Sequence, residues 1–270
     1  MVFKTRGVQA NRFEFKHLVD SQHALAIRDF IRSHLVLDPH MSREQMEGYP
    51  VKSVYLDSSN FALCHATMDG IKNRFKLRLR YYDYHPDRPV FFEVKRRVDQ
   101  TILKSRAAVK REHINDIFLG RGFDRQMLYY PDRIADLAAI QSFLILRDKM
   151  AARPNVMNKY DREAYVSECD NSVRVTFDRH LQGGNWNGDL EHPQGERWLS
   201  PKIGGVILEL KFTQRFPTWM HELSRRFQLQ KTSVPKYVEC AKQLHLGKSP
   251  RTGRTGDLAN FDGSMIAEKF

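Results

Sequence analysis

Between Arg74 and Tyr81 the sequence reads RFKLRLRY, and this octapeptide limits what the chain can become. In a strand, successive side chains point to opposite faces. Arg74, Lys76, Arg78 and Arg80 therefore share one face, and Phe75, Leu77, Leu79 and Tyr81 the other. Bases on alternate residues sit roughly 7 Å apart. Like charges at that spacing repel unless an anion lies among them.

The same two-residue period recurs at Arg12–Lys16, Val51–Asp57, Val90–Arg97, Thr101–Arg106, Lys159–Val166, Val173–Asp178 and Val206–Phe212. Together these segments predict about eight strands, mostly joined by short connections. Helices are predicted between them: Ser21–His34, a long stretch from Glu112 to Ala152 broken near Gly120–Gly122 and at Pro131, Pro217–Phe227, and about Pro235–Leu244. Gln182 to Glu196 is rich in Gly, Asn and Pro and reads as a loop. Strands recur from residue 12 to residue 212, so the expectation is one domain over 1–246. From 247 to 270 the chain is polar and reads as a disordered tail.

The polar faces repeat one theme. Glu14 lies with Lys16; Glu93 with Lys95 and Arg97; Lys104 with Arg106. Tyr160 lies with Arg162, Arg174 with Asp178, and Glu209 with Lys211. The opposite faces are strongly apolar: Phe13 and Phe15, Phe92 and Val94, Val206, Leu208, Leu210 and Phe212. An ordinary sheet would bury the apolar face and give the charges to water. The density and repetition of the bases favour the inverse: helices cover the apolar faces from outside, and the charged faces enclose a tunnel. Unpaired charges in such an interior are destabilising. A chain of phosphates would neutralise them, gripped by arginine forks and lysine ammonium groups. The carboxylates would hold a divalent metal that bridges phosphate oxygens.

Composition agrees. The net charge is +12 and the pI about 9.7, which points to a polyanionic partner. The three cysteines, Cys64, Cys169 and Cys240, fit neither a zinc site nor a disulfide framework. A reducing compartment and a cytoplasmic protein are expected. No apolar run approaches the roughly 20 residues of a membrane span.

The strand phrases resemble the VTC domain (vacuolar transporter chaperone domain) within the triphosphate tunnel group of folds. The pieces are RFEFKHLV at 12–19, VKSVYLDS at 51–58, KLRLRYYD at 76–83, FFEVKRRV at 91–98, LKSRA at 103–107, YDREAYV at 160–166, VRVTFDRHL at 173–181 and VILELKF at 206–212. They occur in family order, and the likeness extends to about residue 244. The resemblance implies an α+β fold: an antiparallel eight-stranded β-barrel with a charged interior, flanked by helices. It also implies transfer of the ATP γ-phosphate to a growing inorganic polyphosphate chain, with Mn²⁺ or Mg²⁺ as cofactor. By motif, Arg78, Arg80, Lys95, Arg162, Arg174 and Glu209 would be catalytic. Lys16, Lys76, Lys104, Lys211 and Lys236 would bind substrate. Glu209 would be the chief metal ligand, with Glu14 and Glu93, and more weakly Asp178, as further candidates. The sequence departs from the family at one point. A serine-lysine-x-x-lysine-tyrosine phrase is frequent near the family's C-terminus. Here Ser233, Val234, Pro235, Lys236 and Tyr237 keep the second lysine and lack the first. Lys231 is the expected substitute.

The terminal phosphate of a polymer is already ionised, so transfer to it needs placement and charge neutralisation rather than a strong base. Two rival readings stay open. A triphosphatase would use water as acceptor on nearly the same residues. A non-catalytic module would only bind polyphosphate or nucleic acid. Nucleic acid is the weaker partner, because the strand aromatics fall mostly on the face opposite the bases. A membrane partner that threads the product leaves no mark in this chain.

Overall fold

The computed structural model describes residues 12–41, 48–99, 101–169, 172–188, 190, 197–213 and 215–246. The expected tail at 247–270 lies outside them. Eight strands form one antiparallel ladder in the order β1 (Arg12–Val19), β9 (Val206–Thr213), β8 (Val173–Asn185), β7 (Arg153–Val166), β3 (Tyr49–Asp57), β4 (Arg74–Tyr81), β5 (Val90–Val98), β6 (Thr101–Val109). A two-residue strand, β2 (Val36–Leu37), pairs with β7 off this path.

The ladder curls upon itself. Six strand spacings separate β1 from β5, which in a flat sheet would be roughly 29 Å. Instead Lys95 of β5 donates to Glu14 of β1 at 2.9 Å. Right-handed twist and the burial demand of the apolar faces drive that closure. The curled sheet with flanking helices is the expected barrel, and its polar faces turn inward.

Two cores cover its outside. Leu77, Leu79 and Phe92 pack under α4 (Ile134–Lys149), where the Phe92 and Phe143 rings meet edge-on at 5.0 Å. Phe177, Leu208 and Leu210 pack under α1 (Ser21–Ile31) and α5 (Thr218–Arg226) through Ile27, Met220 and Leu223. A third cluster lies on the inner face, where Tyr55, Val156 and Leu181 receive Tyr237 and Cys240 of α6 (Lys236–Ala241).

Three expectations need correction. The run Gln182–Asn185 is strand, not loop, and continues β8. Its glycines serve close approach: a Cβ on Gly183 would stand 2.7 Å from Cys240 Cβ. A further helix, α2 (Ala62–Met68), interrupts the β3–β4 connection; the Asp57 carboxylate accepts from the Leu63 and Cys64 amides, both at 2.9 Å, and so anchors its start. The first helix ends at Ile31 rather than His34. Within 112–152 the breaks fall as expected, leaving α3 (Ile114–Phe118) and α4.

Candidate active site in the barrel interior

Each inward side chain follows from strand parity. On β1 and β9, Lys16 pairs in register with Glu209 and Glu14 with Lys211. Between β8 and β9, Arg174 lies opposite Lys211 and Thr176 opposite Glu209; between β7 and β8, Arg162 lies opposite Asp178. On β4, β5 and β6, Lys76, Lys95 and Lys104 form one row, and Arg78, Glu93 and Arg106 the next. The curl brings both sets into one lumen.

Glu209 and Glu93 are each shared among four cationic side chains. Glu209 Oε1 is 3.1 Å from Lys16 and 2.8 Å from Lys236; its Oε2 is 3.3 Å from Arg162 and 2.5 Å from Lys211. Lys236 also reaches Asp178 at 2.5 Å, and Arg162 holds Asp178 with a two-pronged pair of 2.7 Å bonds. Glu93 is fully buried and receives Arg78 at 2.6 Å and Lys104 at 2.7 Å. Arg80 leans on Ser53 Oγ and the Tyr160 hydroxyl at 3.3 and 3.4 Å. Arg174 is tied to Asp38 at 2.5 Å and donates to the Tyr49 hydroxyl at 3.1 Å.

The interior is short of negative charge. Burial pushes the Lys76 ammonium well below its ordinary range, and Lys16, Lys95 and Arg78 push it further. No carboxylate among the described residues pairs with it. Burial likewise pulls Lys211 down to about 8, even with Glu209 beside it. Burial would raise the Glu209 carboxyl, but Lys16 and Lys211 hold it well below the usual carboxylate range. It stays ionised.

All the sequence-derived site residues therefore line one lumen. Lys236 joins them from a helix. Lys231 does not: its ammonium lies 3.4 Å over the Phe15 ring, on the outer side of β1, and cannot replace the missing lysine. Asp38, Tyr49, Ser53, Asn158 and Thr176 were missed. Thr176 sits between Arg174 and Asp178 on the same strand face, and period two could have found it. Asp38 lies in a segment without periodicity and gave no signal. Asn158 is buried on the inner face, and neither amide atom has a partner among the described residues.

A divalent ion fits this donor set only in part. The carboxylate oxygens suit a hard cation, but ammonium and guanidinium groups occupy them. Among the described residues no three His, Cys, Asp or Glu side chains stand close enough to hold a metal alone. The set fits an ion that brings further oxygen ligands on a phosphate chain.

The fold and its interior define an antiparallel barrel with a cationic lumen. The VTC domain model matches residues 11–245, and the chain belongs to the VTC domain family. It is 22% identical over 224 residues to vacuolar transporter chaperone complex subunit 4 of Trypanosoma cruzi (strain CL Brener), covering 72% of this chain and 28% of that relative. The chain thus spans little more than a quarter of that relative's length. Among solved structures, a Bacillus halodurans protein proposed to be an adenylate cyclase aligns at TM-score 0.45 with 10% identity, over 87% of this chain and 98% of that one. Protein PH1819 of Pyrococcus horikoshii OT3 aligns at TM-score 0.43 with 12% identity, over 86% and 98%. Among the described residues no helix is long and apolar enough to cross a membrane.

Proposed function

We propose that this chain is a polyphosphate polymerase that transfers the γ-phosphate of ATP to the end of an inorganic polyphosphate chain. The observation that carries the reading is Lys76: a half-buried ammonium on the inner face, ringed by Lys16, Lys95 and Arg78, with no carboxylate paired to it among the described residues. Such a group is stabilised by a polyanion threaded along the lumen. Membership of the VTC family supports the same reading.

In the transfer, an oxygen of the polymer's terminal phosphate attacks the γ-phosphorus, the bond to the β-bridging oxygen breaks, and ADP leaves. Arg78, Arg80 and Arg162 are placed to hold nonbridging oxygens of the two reacting chains in line. Lys95, Arg174, Lys16, Lys76, Lys104, Lys211 and Lys236 neutralise the flanking phosphates. Glu93 and Asp178 keep the guanidinium groups oriented; Glu14 does the same for Lys16 and Lys95. A bound Mn²⁺ or Mg²⁺ would offset charge on the transferring group, with Glu209 as its carboxylate ligand and Glu14 and Glu93 as lesser candidates. The same proposal places the chain in the cytoplasm, where ATP is supplied and free thiols such as Cys64 and Cys240 persist. The relative's name, a subunit of a transporter chaperone complex, extends it to assembly in a complex.

The test is to incubate the purified protein with ATP and Mn²⁺ or Mg²⁺, then resolve the products by chain length. Long polyphosphate supports the polymerase. Free phosphate without chains would make the protein a triphosphatase, and tight polyphosphate binding without turnover a binding module.

A further inference from the structure

We propose that Tyr49, Tyr82 and Phe91 form a nucleobase platform at one mouth of the barrel, where the base of a nucleoside triphosphate stacks while its phosphates run inward. The proposal rests on the polymerase reading above and adds the end by which the nucleotide enters.

The three side chains converge because of strand direction. Tyr49 begins β3, Phe91 lies near the start of β5, and Tyr82 directly follows the end of β4. Neighbouring strands are antiparallel, so these ends meet at one rim. Parity turns Tyr49 inward in step with Ser53 and Tyr55, and Phe91 in step with Glu93; Tyr82, in the bend just past β4, packs with Tyr49 against the inner cluster of Tyr55 and Tyr160. The ring centroids of Tyr49 and Tyr82 are 6.0 Å apart at 59°, and those of Tyr82 and Phe91 6.1 Å apart at 69°. The rings are tilted toward one another rather than stacked face to face. All three are only half-buried, whereas the outward neighbours Tyr81 and Phe92 are sealed in the core.

Their surroundings select the ligand. Arg80 stands one inward position inside Tyr82, roughly 7 Å along the strand. A phosphate held at Arg80 would place the attached nucleoside at the aromatic rim. The Arg174 guanidinium donates to the Tyr49 hydroxyl, and the Arg106 guanidinium lies 3.3 Å over the Phe91 ring. Arginine planes and aromatic faces together stack any base through its π-surface.

The far end of β4 and β5 has a different chemistry. Arg74 and Arg97 are register partners there. Tyr55 and Tyr237, the inner aromatics nearer that end, already stack on each other at 4.6 Å and are buried. The base therefore belongs to the Tyr49 rim and the bare phosphate chain to the Arg74 end.

The test compares ATP with inorganic tripolyphosphate, which shares the phosphates and lacks the base, by titration calorimetry on the full chain. In a Tyr82→Leu/Phe91→Leu variant, ATP affinity should fall about tenfold, the scale of one lost base stack, while tripolyphosphate affinity stays within about twofold. Unchanged ATP affinity, or equal losses for both ligands, would overturn the platform. A Tyr82→Trp variant gives a second readout. It should show a fluorescence quench on adding ATP that tripolyphosphate does not cause and the unaltered protein lacks; the same response to both ligands also overturns it. Failure of the unaltered protein to bind tripolyphosphate would sink the polymerase reading itself, and the platform with it.

Discussion

The Lys236 ammonium lies 2.8 Å from Glu209 Oε1 and 2.5 Å from Asp178 Oδ2, so a lysine delivered by helix α6 completes the ion network carried by strands β8 and β9. The chain reaches that point after running beside β1, where the Thr232 amide donates to the Lys16 carbonyl at 2.8 Å. The carboxylates are thus shared between a rigid wall and a packed helix. A change at either side should be felt at the other.

Glu209→Gln removes the charge on which Lys16, Lys211, Lys236 and Arg162 converge. Chain synthesis should fall by about a hundredfold or more, the scale of losing one preorganised electrostatic contact. Removing one partner of a buried ion pair should also cost about 3–5 kcal/mol without ligand. Product gels and thermal melts would check both, with circular dichroism confirming the fold at the assay temperature. Full activity in this variant would strip Glu209 of its role.

Lys76→Met should move stability and binding in opposite directions. It removes a half-buried charge crowded by Lys16, Lys95 and Arg78, so the ligand-free melting temperature should rise. It also removes a phosphate contact, so tripolyphosphate affinity should fall. A drop in both would mean that Lys76 is satisfied within the fold.

Binding should take up protons. In the free protein burial holds Lys211 near 8. A polyanion favours the charged ammonium and raises that value, so the bound state carries more protons. Affinity should therefore strengthen as pH falls through about 8. Calorimetry in two buffers of different ionisation enthalpy reads the uptake directly. A pH-independent affinity with no proton uptake would contradict the assigned charge states.

Tyr237→Phe tests how the helix is seated. The Tyr237 hydroxyl donates to Asp57 Oδ2 at 2.5 Å, and burial pushes the Asp57 carboxyl up against the pull of that bond. Losing the hydroxyl leaves a buried carboxylate oxygen one donor short, at a cost of about 1–3 kcal/mol. The denaturant midpoint should fall with an unchanged slope. Because Lys236 is the adjacent residue, polyphosphate affinity should weaken as well; an unchanged affinity would mean that Lys236 is positioned by its ion pairs alone.

The sequence by itself determined the two-faced strands and the residues on each face, because strand parity is a local property. RFKLRLRY could only sort its bases from its apolar residues one way. The family phrases added the barrel and most of the lumen residues. Long-range closure decided the rest. Only the curl of the ladder shows that Lys95 meets Glu14 across the lumen, since their contact spans strands six positions apart in the sheet. Only the packing of α6 shows that Lys236 points inward while Lys231, five residues earlier, lies over Phe15 outside. Gly183 and Gly184 read locally as loop, yet they pair with Asn158 and Met157 as strand, where Cys240 and Trp198 leave no room for a Cβ without shifts. Tyr82 and Phe91 lie within family phrases and Tyr49 outside them, and the three come together only where three strand ends reach the same rim. Local sequence fixes the direction of a side chain within its element; which other side chains it meets depends on how the sheet closes.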